Sequence, residues 1–170
     1  MGIISKKNSP QTFAGTAKSC WLVNITGKFP KIKKKEIADL FQQTLLLPPF
    51  NKIPKKNREI NVRLTNNREI RNINKQFRGK NKATDVISFS YLKEKIKGER
   101  VFLLGEIVIS SETTIRQAKE HGITVKNELL RLAIHSLLHL LGYDHEKVPQ
   151  AEAQKMRRLE KKLFKKIKLV

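Results

Sequence analysis

The chain reads as an α+β domain, a small mixed sheet of about four strands packed with about five helices. Three observations predict this class. Four segments of strand length alternate apolar and polar residues or run apolar throughout, five longer segments repeat apolar residues at helical intervals, and the two kinds follow the order βαβαββααα. A length of 170 residues suits one such domain with polar ends.

Residues 1–18 are polar and aperiodic and read as a flexible basic leader, leaving 19–170 as the single domain. In the first strand, WLVNITGKF, Trp21 to Phe29 alternate until Pro30 interrupts them. KIKKKEIADLFQQTLLL then sets Ile37, Leu40, Phe41, Thr44 and Leu45 on one face of a helix that Pro48 and Pro49 stop. A lysine-rich loop, NKIPKKNRE, leads to EINVRLTN, where Ile60, Val62 and Leu64 alternate with polar neighbours as in a half-buried strand. Asn66 or Asn67 caps a helix through NREIRNINKQFR, with Ile70, Ile73 and Phe77 facing inward.

TDVISFSY reads as the third strand and KEKIKGER as a basic, glycine-containing connection. VFLLGEIVIS is nearly continuously apolar, which suggests a more central strand. Ser110 or Ser111 starts a third helix, Gly122 punctuates, and ITVKNELLRLAIHSLLHLL is apolar enough to occupy the core. Pro149 suits the first turn of a last helix, whose inward face carries Met156, Leu159, Leu163 and Ile167.

A formal charge of +21 and a pI near 10.3 create a field that attracts polyanions. Nucleic acid is favoured over a membrane, because no apolar run approaches spanning length. Met1 to Pro10 lacks the apolar core of a signal peptide, and Lys6 stands where an N-myristoylation motif needs Ser or Thr. Cys20 is the only cysteine, so no intramolecular disulfide forms and a reducing compartment is compatible; it reads as structural or neutral.

Within IHSLLHLLGYDHE, three of the chain's four histidines, His135, His139 and His145, fall at ligand spacing with Gly142 between the last two. Residues four apart share a helix face, and a glycine after a helix folds the chain back. Three imidazoles at one point leave a fourth tetrahedral position open, the arrangement of a catalytic metal site at the end of a core helix. Ser136 stands where a zinc peptidase of this spacing carries its glutamate, which argues against peptide hydrolysis. Asp144 and Glu146 flank the third histidine and either orient a ligand, handle a proton, or, for Asp144, cap the turn. Glu128 reads as a helix-surface or structural contact, and His121 as a surface residue without a role.

HSLLHLLGYDH resembles the HGxLHLxGYDH signature of the YbeY-type endoribonucleases, the bacterial ribosomal-RNA maturation factors. NKQFRGKNKATDVISFSY and LLGEIVIS resemble two further blocks of that family, and the likeness runs from about Ile60 to the last helix. The resemblance implies one zinc ion per chain on His135, His139 and His145, with Arg78 binding an RNA phosphate beside it; Asp144, from its place beside the third histidine, is a further candidate catalytic residue. Ser136 departs from the family's glycine and Glu106 from its aspartate.

The expected function is therefore single-strand-specific, metal-dependent RNA cleavage in small-subunit ribosomal-RNA maturation and ribosome quality control. The expected setting is the cytoplasm, with ribosomal RNA and the ribosome or its proteins as partners, and neither DNA nor membrane. The basic stretches KKNREINVR, KEKIKGER and KMRRLEKKLFKKIK offer surface for phosphates. The sequence is also compatible with two rival readings: a zinc peptidase, on the histidine spacing, and a noncatalytic ribosome-assembly factor, on the charge.

Overall fold

The computed structural model describes residues 21–53, 58–92, 102–145 and 148–168, and its elements fall in the expected order. They are β1 (Trp21–Thr26), α1 (Lys34–Leu45), β2 (Arg58–Thr65), α2 (Asn67–Arg78), β3 (Val86–Ser90), β4 (Phe102–Ser110), α3 (Ser111–Glu120), α4 (Val125–Leu140) and α5 (Gln150–Lys168), with one 3₁₀ turn at Phe50–Lys52. The expected leader, residues 1–18, lies outside the described residues.

The sheet order is β1-β2-β4-β3, with β1, β2 and β4 parallel and β3 antiparallel to β4. Parallel neighbours need a crossover, and α1 supplies the one between β1 and β2. The apolar run of β4 has its reason in burial on both faces, Leu104, Ile107 and Ile109 lying in the main core and Val108 in the smaller cluster under α2. Ile60, Val62, Leu64, Ile107 and Ile109 join the core cluster containing α1, α4 and α5. Ile87 and Val108 belong to a second, smaller cluster with Ile70 and Ile73 of α2.

Helix α4 lies deepest: Leu129, Leu132, Ala133, Leu137, Leu138 and Leu140 are all buried. Burying each of its leucines contributes about 1.5–3 kcal/mol. Its start is fixed by Thr124, whose hydroxyl accepts from the Asn127 amide at 3.1 Å. Its far end is fixed from the sheet. Ser90 Oγ of β3 donates to the Leu140 carbonyl at 2.7 Å. Gly105 of β4 permits this approach, because a Cβ there would stand 2.2 Å from the Phe89 oxygen and 2.7 Å from a Leu140 methyl.

Three expectations are corrected. The first strand stops at Thr26 rather than Phe29, because Gly27 turns at φ 77 against the Leu64 backbone and Phe29 pairs instead with Ile32 across a tight turn. The third strand starts at Val86, since Asp85 Oδ1 accepts from the Val86 amide at 2.8 Å and from the Thr84 hydroxyl at 3.1 Å, forming a turn before it. Phe77 does not face inward: it is 44% exposed on the last turn of α2, covered on one side by the edge of Phe89 at 5.1 Å.

Candidate metal centre

His135 and His139, four residues apart on α4, present their rings on one side of the helix with Nε2 atoms 3.2 Å apart. Tetrahedral nitrogen ligands of a zinc ion, each about 2.0–2.1 Å from it, lie about 3.3 Å from one another. The helix ends at Leu140, and Gly142 at φ 84 reverses the chain while its amide donates to the His139 carbonyl at 2.9 Å. Asp144 Oδ1 then accepts from the His145 amide at 2.7 Å, so the turn delivers the third ring. Ligand nitrogens of the three histidines all lie within 4.8 Å of one another.

The donor set suits a metal ion. His139 is held neutral, its pKa lowered to about 4 first by burial and then by His135, with His145 and Arg78 adding to the effect against the pull of Asp144. A neutral imidazole offers the lone pair a metal needs. Nδ1 of His145 is buried without a hydrogen-bond partner among the described residues, a cost that a cation bound at that nitrogen would remove. The sign of the His139 shift gives a prediction for metal-free protein. Its pKa in the unfolded chain, near 6.5, exceeds the folded value, so the unfolded state takes up the proton first as pH falls. Stability from this group is complete above about pH 6.5 and is lost toward about pH 4. Melting temperatures of the chelated protein over that window check it, and a flat profile contradicts it.

Helix α5 supplies a group not singled out from the sequence. Glu160 Oε1 lies 2.7 Å from His135 Nδ1 and accepts its proton, which leaves the Nε2 lone pair of that ring directed at His139. Burial raises the Glu160 pKa, but the His135 hydrogen bond and nearby cationic charge outweigh it, so the carboxylate sits below its ordinary range. A signal existed: Glu160 follows Met156 by four and precedes Leu163 by three, which places a charge on the buried face of α5. Glu160→Ala is expected to weaken zinc binding about 10–100-fold, with Glu160→Gln restoring much of it through the same acceptor oxygen. Competition against a chromophoric chelator measures both, and unchanged affinity in the alanine variant contradicts the assignment.

The other expected residues fall at different distances from the triad. Arg78, exposed at the end of α2, is close enough for its charge to depress His139 although α2 and α4 are far apart in the chain. Asp144 caps the turn, and its Oδ1 is 4.0 Å from His139 Nδ1, beyond a hydrogen bond but within electrostatic reach. Ser136 is buried and donates to the Ala133 carbonyl at 3.0 Å, so its hydroxyl is committed within the helix. Glu106 is half-buried on β4, its pKa raised by burial against a Tyr91 hydrogen bond and the charge of Arg63. Glu146 lies outside the described residues.

Glu128 is not on the helix surface. It is fully buried, receives Arg131 through bonds of 2.5–3.1 Å, and has His121 Nδ1 at 3.3 Å, which gives that exposed histidine a partner. Arg131 also stands 3.9 Å from Asp85, which itself accepts from Gln117 at 3.2 Å. This network ties α3, α4 and the start of β3 together one helical turn before His135.

The family model for endoribonuclease YbeY matches residues 23–168. The chain is 40% identical over 152 residues to an endoribonuclease YbeY of a Sulfurihydrogenibium species, an overlap of 89% of this chain and 95% of that protein. It is 44% identical over 137 residues to an endoribonuclease YbeY of Aquifex aeolicus, covering 81% and 85%. A solution structure of a Thermotoga maritima protein superposes with a TM-score of 0.56 at 27% identity, covering 86% of this chain and 92% of that one.

Proposed function

The chain belongs to the endoribonuclease YbeY family, and from that premise we propose that it cleaves single-stranded RNA at one zinc ion held by His135, His139 and His145. The activity resides in a single domain, residues 19–170, and its substrate is small-subunit ribosomal RNA rather than DNA. The reaction belongs to ribosomal-RNA maturation and ribosome quality control in the cytoplasm, with the ribosome or its proteins as partners. No helix among the described residues is long and apolar enough to cross a membrane.

The observation that carries the proposal is the convergence of three imidazoles with Arg78 in electrostatic reach. A zinc ion in this setting supplies Lewis acidity toward a phosphoryl oxygen. The chain's own residues do the rest. Glu160 holds the His135 proton on Nδ1. Asp144, a candidate catalytic residue from the sequence, acts as a positioning residue: its charge favours the His139 proton on Nδ1 and so frees Nε2. The Arg78 guanidinium clamps the non-bridging oxygens of the scissile phosphate and balances the charge that develops on them. Against a peptidase reading, Ser136, at the position where a peptidase of this spacing carries its glutamate base, commits its hydroxyl to the Ala133 carbonyl and is a poor proton acceptor.

The test uses purified protein with a single-stranded ribosomal-RNA fragment and the same strand in a duplex. Cleavage of the single strand alone, lost on removing the metal and regained on adding about one zinc per chain, is the expected result. Cleavage that persists in fully metal-free protein would sink the proposal.

A further inference from the structure

Helix α5 carries charge of one sign on its outer face. Arg157, Arg158, Lys161, Lys162, Lys165 and Lys166 are all exposed, and none enters an ion pair among the described residues. Some cations elsewhere are paired along their own element or with a neighbouring one, Lys35 with Asp39 at 3.2 Å on α1, Arg116 with Glu120 at 2.7 Å on α3, and Arg63 with Glu69 at 2.9 Å, whereas α5 sets six cations without such partners side by side on one face. On α5 the carboxylate that would pair within this run, Glu160, turns inward to His135. The rows Arg157–Lys161–Lys165 and Arg158–Lys162–Lys166 thus place like charges four residues apart, an arrangement that weakens a helix until an anion covers it.

We propose that this outer face of α5 is the track on which the phosphate backbone of a single-stranded RNA lies as it leaves the metal centre. The inference rests on the reading of the triad as the site of RNA cleavage and names the surface that holds its substrate. Successive charges in each row are about 6 Å apart along the helix axis, a spacing suited to consecutive phosphates of an extended strand. Gln154, Arg157, Arg158 and Lys161 line an open depression of about 330 Å³ between the rows. Two contacts join this face to the site. Glu160, one turn after Arg157, touches His135, and the Lys155 ammonium lies 5.5 Å from the centre of the Tyr143 ring, on the turn that delivers His145. Nothing in such a row of cations reads bases, so the track gives affinity and orientation without sequence choice.

The test compares two triple variants of the zinc-loaded protein, Arg157→Gln/Arg158→Gln/Lys161→Gln and, as an equal-charge control, Arg68→Gln/Lys119→Gln/Lys126→Gln. Binding of a fluorescent single-stranded oligoribonucleotide is followed by anisotropy across a fourfold range of salt. Each lost phosphate contact removes about 0.7 from the slope of log affinity against log salt, so the α5 triple should lower it by about 2. Its deficit relative to wild type should then shrink about 16-fold from the lowest to the highest salt. The control should change the slope by less than half as much, and the α5 triple should keep its melting temperature, since like charges have been removed. Equal slope changes in the two triples, or none in the α5 triple, overturn the proposal. So does a loss confined to phosphatidylserine vesicles with RNA affinity intact, which would assign the face to a membrane. If the α5 triple lowers the slope but wild type never cuts RNA, the surface stands and the cleavage reading fails.

Discussion

His139→Ala leaves a folded chain that holds no metal and cuts RNA on the order of 10³-fold more slowly, because a Lewis acid's several kcal/mol of charge stabilisation goes with the ion. His139 is the middle ligand, its Nε2 3.2 Å from that of His135, and without it two imidazoles remain from different chain directions. Folding should survive. The ring is a quarter exposed, and alanine is the better helix former. Metal-free wild type and variant are therefore expected to melt within a few degrees of each other, and only the wild type to gain stability on adding zinc, about 2.7 kcal/mol at a hundredfold excess over Kd. Metal analysis, melting with and without zinc, and RNA cleavage on the same preparations check each part. A variant that retains stoichiometric zinc, or cleaves like wild type, would remove His139 from the site.

Arg78→Ala is expected to cost 10²–10³-fold in kcat, roughly the loss from deleting one preorganised charge donor, while zinc occupancy stays at the wild-type level. That combination separates it from a ligand variant. The side chain is exposed at the end of α2, so its removal opens no cavity; it forfeits a favourable interaction with the helix C-terminus of about 0.3–1 kcal/mol. Arg78→Lys should fall between, keeping the charge but losing the planar fork that grips two oxygens at once. The His139 ring loses one depressing charge in the alanine variant, so zinc binding should not weaken. A fall in zinc affinity as large as the fall in kcat would mean that Arg78 serves the metal site and not the phosphate.

Much of this was legible because its physics is local. The pair His135 and His139 with Gly142 and His145 lies within one helix end and one turn, where spacing alone fixes which atoms meet. The buried faces of α1 and α4 were likewise visible as apolar rows. What was not legible depends on docking between distant segments. Glu160 could be placed on the inner face of α5 but not against His135, and Glu128 could not be seen as buried without the Arg131, His121 and Asp85 groups that surround it. Phe77 kept its helical spacing and still ended exposed, because the cluster under α2 is small and its last turn overhangs it. The order β1-β2-β4-β3 follows from parallel crossovers, which leave no mark in any single strand.

The compactness of the ligand set along the chain has a consequence for how the protein assembles. All three histidines sit on one helix end and the turn after it, so bringing them together closes only a short loop, with a small entropy cost. The parallel pairing of β1 with β2 and of β2 with β4 joins segments far apart in the chain and is intrinsically slow to form. The three-histidine cluster therefore needs little of the sheet in order to form, and the docking of α5, which brings Glu160 against His135, is the later step.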